Sequence, residues 1–253
     1  LFRYMRLPFG VKSAPGIFQQ LMDAMLSGLE GAVAYLDDII VTGASIEEHD
    51  RNLRAVFERI AEYGLRVRLE KCELGMKRVN YLGFIVDAAG RRPDPAKIAA
   101  IVKMPPPHDV PTTQSFLGMI NYYGKFIPHM SDLRAPYDAL LKKGVNFEWS
   151  EECEANFKKV KEILTSDLSL THFDPRRPIV VSADASQYGI GAVIMHMFPD
   201  GTRKAIAHIA RTLKPAEKNY SQIEKEGLAL VYAVKKFHRL LHGRHFLLET
   251  DHK

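Results

Sequence analysis

The sequence predicts an α+β fold, with mixed helix and strand segments on either side of a helical middle. Apolar residues follow helical and strand spacings in turn over the first third of the chain. Prolines then cluster at 93, 95, 105–107 and 111, and three strand-like runs precede a last amphipathic helix. With 253 residues, 46% of them apolar, the chain is long enough for one large domain or two to three smaller ones.

Two amphipathic helices are predicted in the first third. The first begins behind Ser13 and Pro15, which are helix-start signals, and the second begins at Ser45, whose spacing to Glu48 is that of a capping box. Gly64 ends the second helix. The predicted apolar faces are Phe18, Met22, Met25 and Leu26 in the first helix and Leu53, Val56, Phe57 and Ile60 in the second.

Between these helices, the segment "AVAYLDDIIVTG" (residues 32–43) places two carboxylates between two strand-like runs. Short hairpin turns usually contain Asn-Gly or Asp-Gly, but here the first glycine is Gly43. Asp37 and Asp38 would lie at a hairpin tip whose apolar flanks are both pinned by the core, and rigid carboxylate oxygens suit a hard cation such as Mg²⁺. An ordinary polar turn is the alternative that the bare pair leaves open.

Strands and a helical subdomain are predicted next. "LRVRL" and "NYLGFIV" are each predicted as a strand, and the prolines that follow mark a domain boundary. "TTQSFLGMINYYGKFIP" opens with threonine caps and has helical periodicity. Its predicted apolar face comprises Phe116, Leu117, Ile120 and Tyr123.

The last third is predicted to combine helices and strands. A capped helix in "FEWSEECEANFKKVKEIL" leads to strands in "IVVSAD", "GIGAVIMHM" and "KAIAHIA", then to a helix from Ser221 to about His242 and a strand in "HFLLETD". Glu224 has capping-box spacing to Ser221, whereas Glu226 has no such role. Glu226 is predicted at the edge of the stripe formed by Ile223, Leu230, Val234, Phe237 and Leu241. A carboxylate there needs a partner because unpaired burial is costly.

Net charge, cysteine and histidine spacing and the length of apolar runs indicate which partners and sites the chain could have. A formal net charge of +5 and a pI near 9.1 suit a polyanionic partner but also fit many other proteins. Cys72 and Cys153 are isolated, which indicates neither a disulfide framework nor a zinc site. No apolar run reaches the length of a membrane span and no signal peptide is visible, so we expect a soluble segment with no membrane partner. No metal-ligand spacing links His196, His208, His238, His242, His245 and His252.

Seven segments occur in an order that resembles a known enzyme family. They are "LPFGVKSAPGIF", "YLDDIIV", "EEH", "GLRVRLEKC", "YLGFIV", "SFLGMINYYGKFIP" and "SADAS". In this order they resemble the reverse transcriptase and ribonuclease H region of Pol polyproteins from gypsy-type long-terminal-repeat retrotransposons, relatives of the retroviral enzymes. The resemblance implies a partial reverse-transcriptase palm over residues 1–90, a helical thumb or connector over 91–147, and an RNase H-like α/β domain, truncated at its end, over 148–253.

The resemblance implies a polymerase site around the aspartate pair. Asp37 and Asp38 would be the palm residues that bind the catalytic metal ions, with Asp37 as the principal ligand and Tyr35 flanking the primer end. The family has a further metal-binding aspartate on a strand before "LPFG". We therefore expect this chain, read as an excised piece of a longer protein, not to extend a primer by itself.

Further substrate contacts are implied along the palm. Phe9 and Gly10 match the segment that lies against the incoming nucleotide, where glycine allows close backbone approach. Lys71 would contact a phosphate or donate a proton, and a solvated surface charge is the alternative. The "YLG" segment would grip the primer strand, with an ordinary buried strand as the alternative; its residues are Tyr81, Leu82 and Gly83.

A stripe on the helical middle is a candidate duplex contact. Gln114, Gly118 and Tyr122 recur at i, i+4 and i+8. The resemblance assigns the matching stripe to the minor groove of the template–primer duplex, and a plain helix–helix contact is the alternative. Three nearby lysines either contact phosphates or are solvated surface charges, and the sequence leaves both alternatives open: Lys125, Lys142 and Lys143.

A second acidic set is implied at a ribonuclease H site. The resemblance assigns Asp184, Glu226 and Asp251 as catalytic metal ligands, with a magnesium ion shared between Asp184 and Glu226 as the partner that Glu226 needs. A fourth acidic ligand of the family lies further on, so we expect weak cleavage. The function expected overall is an RNA-directed DNA polymerase with ribonuclease activity on RNA/DNA hybrids, using two Mg²⁺ per site or Mn²⁺ in their place.

The expected partners are an RNA template, a DNA primer, the RNA/DNA hybrid and deoxynucleoside triphosphates (dNTPs), in an intracellular particle or the nucleus. Two alternatives stay open. One is a catalytically dead, hybrid-binding or structural remnant of a retroelement. The other is an unrelated magnesium-dependent nuclease, which leaves the order of the seven segments unexplained.

Overall fold

A computed structural model describes Pro8 and residues 10–250; Phe9 and Asp251, both predicted site residues, lie outside the described residues. The chain divides into two compact units, Leu1–Met76 and Lys77–Lys253. Helices and sheets are mixed in the way that the predicted α+β class requires. Within the described ranges, no helix is both long enough and apolar enough to cross a bilayer.

The described residues of the first unit form two helices, one hairpin and a one-turn 3₁₀ helix: α1 (Ala14–Leu26), β1 (Ala32–Tyr35), β2 (Asp38–Val41), α2 (Ile46–Glu62) and the 3₁₀ turn Leu69–Lys71. Both predicted helices are confirmed, and the Ser45 hydroxyl accepts from the Glu48 N–H at 3.2 Å, as the capping box requires. The core of this unit consists of Met22, Met25, Leu26, Ala34, Val56 and Ile60.

The predicted hairpin is present, with Tyr35 opposite Asp38 and a two-residue turn between them. The expectation that the core pins both of its flanks is wrong for β1. Ala34 is 8% exposed, but Val33 and Tyr35 are 56% and 55% exposed. Successive side chains of a strand point to opposite faces, so β1 contacts this core through one face only.

Two strand predictions are wrong. Residues 65–68 of "LRVRL" have no ladder partner in the described part of the chain, and Leu69, at 66% exposure, begins the 3₁₀ turn. "NYLGFIV" is a hairpin rather than one strand, in which β3 (Arg78–Tyr81) and β4 (Phe84–Asp87) are antiparallel. The chain reverses there because Gly83 takes a φ of 71°, which glycine adopts without steric cost.

The second unit begins with a three-stranded antiparallel sheet and four helices. The sheet has the order β3-β4-β5. The further elements are β5 (Gly90–Pro93), α3 (Pro95–Val102), α4 (Val110–Tyr122), α5 (Met130–Leu140) and α6 (Glu151–Thr165). The predicted apolar face of α4 is confirmed, since Phe116 and Ile120 are fully buried in the core shared by the helices. The predicted threonine cap is wrong: the Asp109 carboxylate caps α4 and accepts from the Thr112 N–H at 2.8 Å.

A four-stranded sheet and two helices complete the second unit. They are β6 (Ile179–Ala185), β7 (Gly189–Met197), β8 (Arg203–Thr212), α7 (Gln222–Lys236), α8 (His238–Leu241) and β9 (Leu247–Thr250). The strand order is β8-β7-β6-β9, and only the β6–β9 pair is parallel. The four predicted strands are confirmed, whereas the single helix predicted from Ser221 to about His242 is broken at Phe237 into α7 and α8.

The buried face of α7 differs from the predicted stripe. Ile223 is 64% exposed, whereas Glu226, Ala229 and Ala233 are 5%, 0% and 0% exposed. Their i, i+3, i+7 spacing is that of one helix face, which continues to the buried Phe237. Glu226 therefore lies within the buried face rather than at its edge, because the fully buried residues of that face are the alanines, whereas the larger apolar side chains of α7 are only partly buried against the same core.

Helix α5 joins the helical core to the four-stranded sheet by packing on β7 and β8. A Cβ at Gly189 would collide with the side chain of Ser131, so glycine is required for this close approach. The Ser186 hydroxyl donates to the Asp132 carboxylate at 2.5 Å. Helix α6 packs with α3 and α5 in the helical core, and the predicted three-domain division stays a prediction.

Candidate metal and nucleic-acid sites

The tip of the first hairpin is clamped by a side chain from α1. Leu36 has a φ of 51°, which is uncommon for a residue with a Cβ and costs about 1–3 kcal/mol. The Gln19 side-chain oxygen accepts from the Leu36 N–H at 2.7 Å, and its nitrogen donates to the Ala34 carbonyl at 3.1 Å. One amide therefore bonds two backbone groups of the tip. Sequence reasoning missed Gln19, since the contact spans 17 residues.

The carboxylates of the tip face solvent. Asp37 and Asp38 are both exposed, and Tyr35 beside them is 55% exposed. Gly10 is exposed in a turn with a φ of 84°, and Lys71 is exposed at the end of the 3₁₀ turn. The exposure of Lys71 leaves both of its predicted roles open.

The "YLG" segment forms the turn of the β3–β4 hairpin and is tied to α4. Leu82 has a φ of 49°, which makes it a second strained turn residue without being glycine. The Tyr122 hydroxyl donates to the Leu82 carbonyl. The Tyr122 ring stacks on Phe84 with 5.1 Å between ring centres, and it passes 3.7 Å from where a Cβ of Gly83 would stand. The structure thus brings together two segments that were predicted separately as duplex contacts.

The predicted stripe of α4 lies on the outer face of the helix. Gln114, Gly118 and Tyr122 are all exposed, opposite the buried Phe116 and Ile120. Apart from its chain neighbours and the nearby backbone of its own helix, no described atom lies within 4 Å of where a Cβ of Gly118 would stand. The helix–helix alternative therefore finds no support at Gly118 in the described part of the chain.

The second acidic set is built at the end of β6. Asp184 lies one residue before the end of that strand, and its side chain is 42% exposed. On the parallel neighbour β9, Thr250 is paired with Ala183. Parallel strands bring their carboxyl ends to the same edge, so the end of β9 lies beside Asp184. Asp251 follows Thr250 in the sequence and lies outside the described residues.

Glu226 reaches this edge of the sheet from α7. Its carboxylate accepts from the Gln222 side-chain nitrogen at 2.8 Å, and the same nitrogen donates to the Ala185 carbonyl at 2.8 Å. The Thr250 hydroxyl lies 3.5 Å from the other carboxylate oxygen. Gln222 is thus the partner that burial requires, and it links Glu226 to the residue after Asp184.

Glu224 has the structural role that its spacing predicts. Its carboxylate accepts from both the N–H and the hydroxyl of Ser221, each at 2.8 Å. These hydrogen bonds, first that of the hydroxyl, lower the pKa of Glu224, because they stabilise the charged form. The two glutamates of α7 therefore differ as predicted: one caps the helix and the other faces the sheet.

A histidine that sequence reasoning missed lies beside Asp184. His129 precedes α5 in the left-handed region with a φ of 49°, and its Nδ1 is 3.6 Å from an Asp184 carboxylate oxygen. Among the described residues, Leu36, Leu82 and His129 are the three non-glycine residues with positive φ. All three lie at candidate sites, where backbone strain tends to concentrate.

Two other histidines have structural surroundings. His196 is fully buried; its Nε2 accepts from the Asp174 N–H at 2.9 Å, and its Nδ1 lies 3.1 Å from the Pro178 carbonyl. Burial, and to a lesser degree the nearby His129, lowers the pKa of His208 to about 4. Both side chains are buried or partly buried on strands of the sheet. This agrees with the core role expected for histidines that show no metal-ligand spacing.

Comparison with known proteins agrees with the resemblance seen in the sequence. Residues 1–86 match the family "Reverse transcriptase (RNA-dependent DNA polymerase)", and residues 149–248 match the "RNase H-like domain found in reverse transcriptase". The Pol polyprotein of Drosophila melanogaster transposon 297 is 39% identical over the whole chain, and that of transposon gypsy is 34% identical. Over its whole length the chain is therefore similar to part of the gypsy-type retrotransposon Pol polyproteins.

The chain spans about a quarter of the length of those relatives, 24% of transposon 297 Pol and 25% of gypsy Pol. Its fold is similar to that of the foamy viral protease-reverse transcriptase. The complex of that protein with dsDNA has a TM-score of 0.80 at 26% identity, covering 97% of this chain and 51% of the other. The complex with RNA/DNA hybrid has the same score and identity, covering 98% and 34%.

Reverse transcriptase and RNase H families use divalent metal ions. Within residues 8 and 10–250, no three His, Cys, Asp or Glu side chains are grouped closely enough to hold a metal ion. Asp184 and Glu226 supply two described carboxylates at the second site, and oxygen ligands of this kind fit a hard divalent cation. A magnesium-type ion therefore agrees with the donor chemistry of the set predicted at that edge.

Proposed function

We propose that this chain carries the RNase H activity of a retrotransposon Pol polyprotein, which hydrolyses the RNA strand of an RNA/DNA hybrid, together with the palm hairpin of its RNA-directed DNA polymerase. The proposed partners are the RNA template, the DNA primer, their hybrid and dNTPs. The two family matches support the reaction class, and the +5 net charge suits these polyanions.

The observation that carries the nuclease proposal is the meeting of three elements at one edge of the sheet. Asp184 belongs to β6, Thr250 ends the adjacent β9, and Glu226 is held to both by Gln222 and Thr250. A buried carboxylate at 5% exposure is costly unless it has a use or good partners. Its link through Gln222 to Ala185, the residue after the half-exposed Asp184, supports a catalytic use.

At this site Asp184, Glu226 and Asp251 would hold two Mg²⁺ ions. When bound, such ions activate the attacking water and stabilise the leaving oxygen of the phosphodiester. The protein's own contribution is rigidity: the Asp184 backbone is fixed in a strand paired on both sides, and the Glu226 carboxylate is fixed by Gln222.

At the polymerase site Asp37 and Asp38 would hold the metal ions that serve nucleotide addition. The Gln19 clamp on the strained Leu36 supports this role, because it fixes the backbone from which the Asp37 side chain projects. Tyr35 would lie beside the primer end, and Phe9 and Gly10 beside the incoming nucleotide.

The surface formed by the "YLG" turn and the α4 stripe would bind the duplex. Tyr122 links the two, and its exposed ring and the bare Gly118 would allow close approach of a sugar-phosphate groove. Lys125 is exposed directly after α4, where a phosphate contact would position the duplex without reading its sequence.

Cleavage of a hybrid with a labelled RNA strand tests the proposal. We expect the full chain to cut the RNA in 5 mM Mg²⁺ or Mn²⁺, roughly the range in which such ions saturate oxygen-ligand sites. Asp184→Asn should lower the rate at least ~100-fold, because it removes a charged ligand.

Asp200→Asn is the matched control. Asp200 lies in the β7–β8 turn, at the opposite end of the sheet from Asp184, because Ile179 at the start of β6 pairs with His196 near the end of β7. The Asp200→Asn variant should cleave the RNA strand at the same rate as the unsubstituted chain. Tight hybrid binding with no cleavage in any divalent ion would instead support the non-catalytic remnant.

A further inference from the structure

His129 comes from the helical part of the second unit, yet its ring reaches the candidate nuclease site. Its Nδ1 lies 3.6 Å from an oxygen of Asp184, 55 positions away in the sequence. The histidine is 62% exposed and the Asp184 side chain 42% exposed, so both groups remain open to solvent and to a ligand. This separation exceeds a direct hydrogen bond and suits an electrostatic contact or a contact through one water.

The backbone that carries His129 is held firmly in place. Directly after it, Ser131 packs so closely on Gly189 that a Cβ there would collide with it, and Asp132 accepts from the Ser186 hydroxyl at 2.5 Å. Ser186 lies in the β6–β7 turn that follows Asp184, and Gly189 is the first residue of β7. The start of α5 and the strand end that carries Asp184 are therefore one packed structure.

The left-handed backbone of His129 is a second observation that points to its side chain. Glycine or asparagine adopts a φ of 49° at lower cost than histidine does. An imidazole at such a position, 3.6 Å from a half-exposed carboxylate, supports a use for the ring there.

We propose that His129 is a positioning residue of the nuclease site, which orients the Asp184 carboxylate for a divalent cation. The inference rests on the proposed function. It makes the helical segment part of the nuclease site, so the site extends beyond residues 149–248, which match the RNase H-like family. Groups that orient metal ligands in this way typically contribute 10–100-fold to metal affinity.

Manganese binding tests this directly, with free Mn²⁺ measured by electron paramagnetic resonance during titration with MnCl₂. The full chain would carry Asp37→Asn and Asp38→Asn, so that the first acidic pair does not contribute. In that background His129→Gly, which suits the left-handed backbone, should weaken Mn²⁺ binding at least ~10-fold. His129→Asn should restore most of the affinity, because its amide nitrogen stands close to the position of Nδ1.

The matched control is His108→Gly. His108 is also an exposed histidine, with Nε2 3.7 Å from the carboxylate of Asp109, but that pair lies at the start of α4. This variant should bind Mn²⁺ as the background chain does. Thermal unfolding of each variant shows whether a loss of binding follows from a loss of folding.

The outcomes separate this inference from the proposed function. If Asp184→Asn weakens Mn²⁺ binding and His129→Gly does not, the role of His129 is overturned while the acidic site stands. If His129→Gly weakens binding only together with a lower melting temperature, and asparagine does not restore it, the residue is merely structural and the inference is again overturned. If Asp184→Asn itself leaves binding unchanged, the proposed acidic site fails and the role of His129 fails with it.

Discussion

Glu224 and Glu226 lie two positions apart on α7, but their carboxylates have different surroundings. Glu224 accepts two hydrogen bonds from Ser221 at the exposed start of the helix. Glu226 is buried against the sheet with Gln222 as its partner. The capping-box spacing was enough to predict the first role from sequence, because a cap is formed within one helical turn.

Alanine substitution should separate these two roles. Glu224→Ala should lower the free energy of unfolding by about 1 kcal/mol, the usual cost of a lost cap, and leave hybrid cleavage nearly unchanged. Glu226→Ala should abolish cleavage and change stability by less than about 1 kcal/mol, because removal of a buried charge offsets the lost hydrogen bond. Urea denaturation and the hybrid assay measure both quantities, and the reverse pattern would show that the assignments are exchanged.

Gln19 is predicted to control the first hairpin without contacting a metal ion. Gln19→Leu removes the acceptor of the Leu36 N–H, a loss of about 1 kcal/mol, so amide hydrogen exchange at Leu36 should accelerate roughly fivefold. Gln20→Leu is the matched control, since Gln20 is the exposed neighbour on the same helix. Equal exchange at Leu36 in both variants would mean that the tip does not depend on the clamp.

Sequence reasoning located most single residues through local chemistry and failed where the contact is distant. It assigned Glu226 to the edge of a stripe because it weighted large apolar residues, whereas Ala229 and Ala233 form the face against the sheet. It missed Gln19 and His129, since no local spacing signals a side chain that bonds to a different element.

At the scale of elements, capping and periodicity predicted the helices and strands that bury a clear face. The failures have tertiary causes. "LRVRL" alternates as a strand does, but no described strand pairs with it. "NYLGFIV" was read as continuous because Leu82 is not a usual turn residue, yet Leu82 and Gly83 both take positive φ and reverse the chain.

Helix α4 offers a test in which stability and function should move in opposite directions. Gly118→Ala adds a methyl group in open space and improves helix propensity, so the free energy of unfolding should rise by about 0.5–1 kcal/mol. If the stripe lies in a duplex groove, the same change should weaken hybrid binding several-fold. Fluorescence anisotropy with a labelled hybrid measures this, and unchanged affinity in the stabilised variant would remove Gly118 from the binding surface.

At the scale of the whole molecule, the second unit combines a helical core and a four-stranded sheet through α5. The order of the seven segments predicted an α+β chain with an RNase H-like part, and this fold class is confirmed. The packing of α5 on β7 and β8 was not predictable from sequence, because it depends on one glycine opposite one serine, Gly189 and Ser131.

Stability should fall in mildly acidic solution because of His208. Burial lowers its pKa to about 4, below the value near 6.5 of the unfolded chain, so the unfolded state binds the proton more tightly. The stabilisation that comes from keeping His208 neutral is complete above pH 6.5 and is lost as the pH falls towards 4. The free energy of unfolding should fall by up to about 3 kcal/mol over this range. Urea denaturation across this range should show the fall.

The substitution His208→Gln should flatten the stability curve between pH 6.5 and 4. His245→Gln, a change at an exposed histidine, is the control and should leave the slope as it is. The free energy of unfolding should fall further below pH 4.5 in all variants. The reason is that the Arg211 guanidinium lowers the pKa of Glu217 to about 2, so the unfolded state takes up this proton first. An identical slope for His208→Gln and the unsubstituted chain above pH 4.5 would contradict the prediction.

We propose that the ends of β6 and β9 and the buried face of α7 form one divalent-cation site. An anomalous difference map from crystals of the full chain soaked in MnCl₂ tests this proposal. We expect a manganese peak within ligand distance, about 2.0–2.6 Å, of carboxylate oxygens of Asp184 and Glu226. Manganese bound elsewhere on the molecule, with no peak at that edge of the sheet, would contradict it.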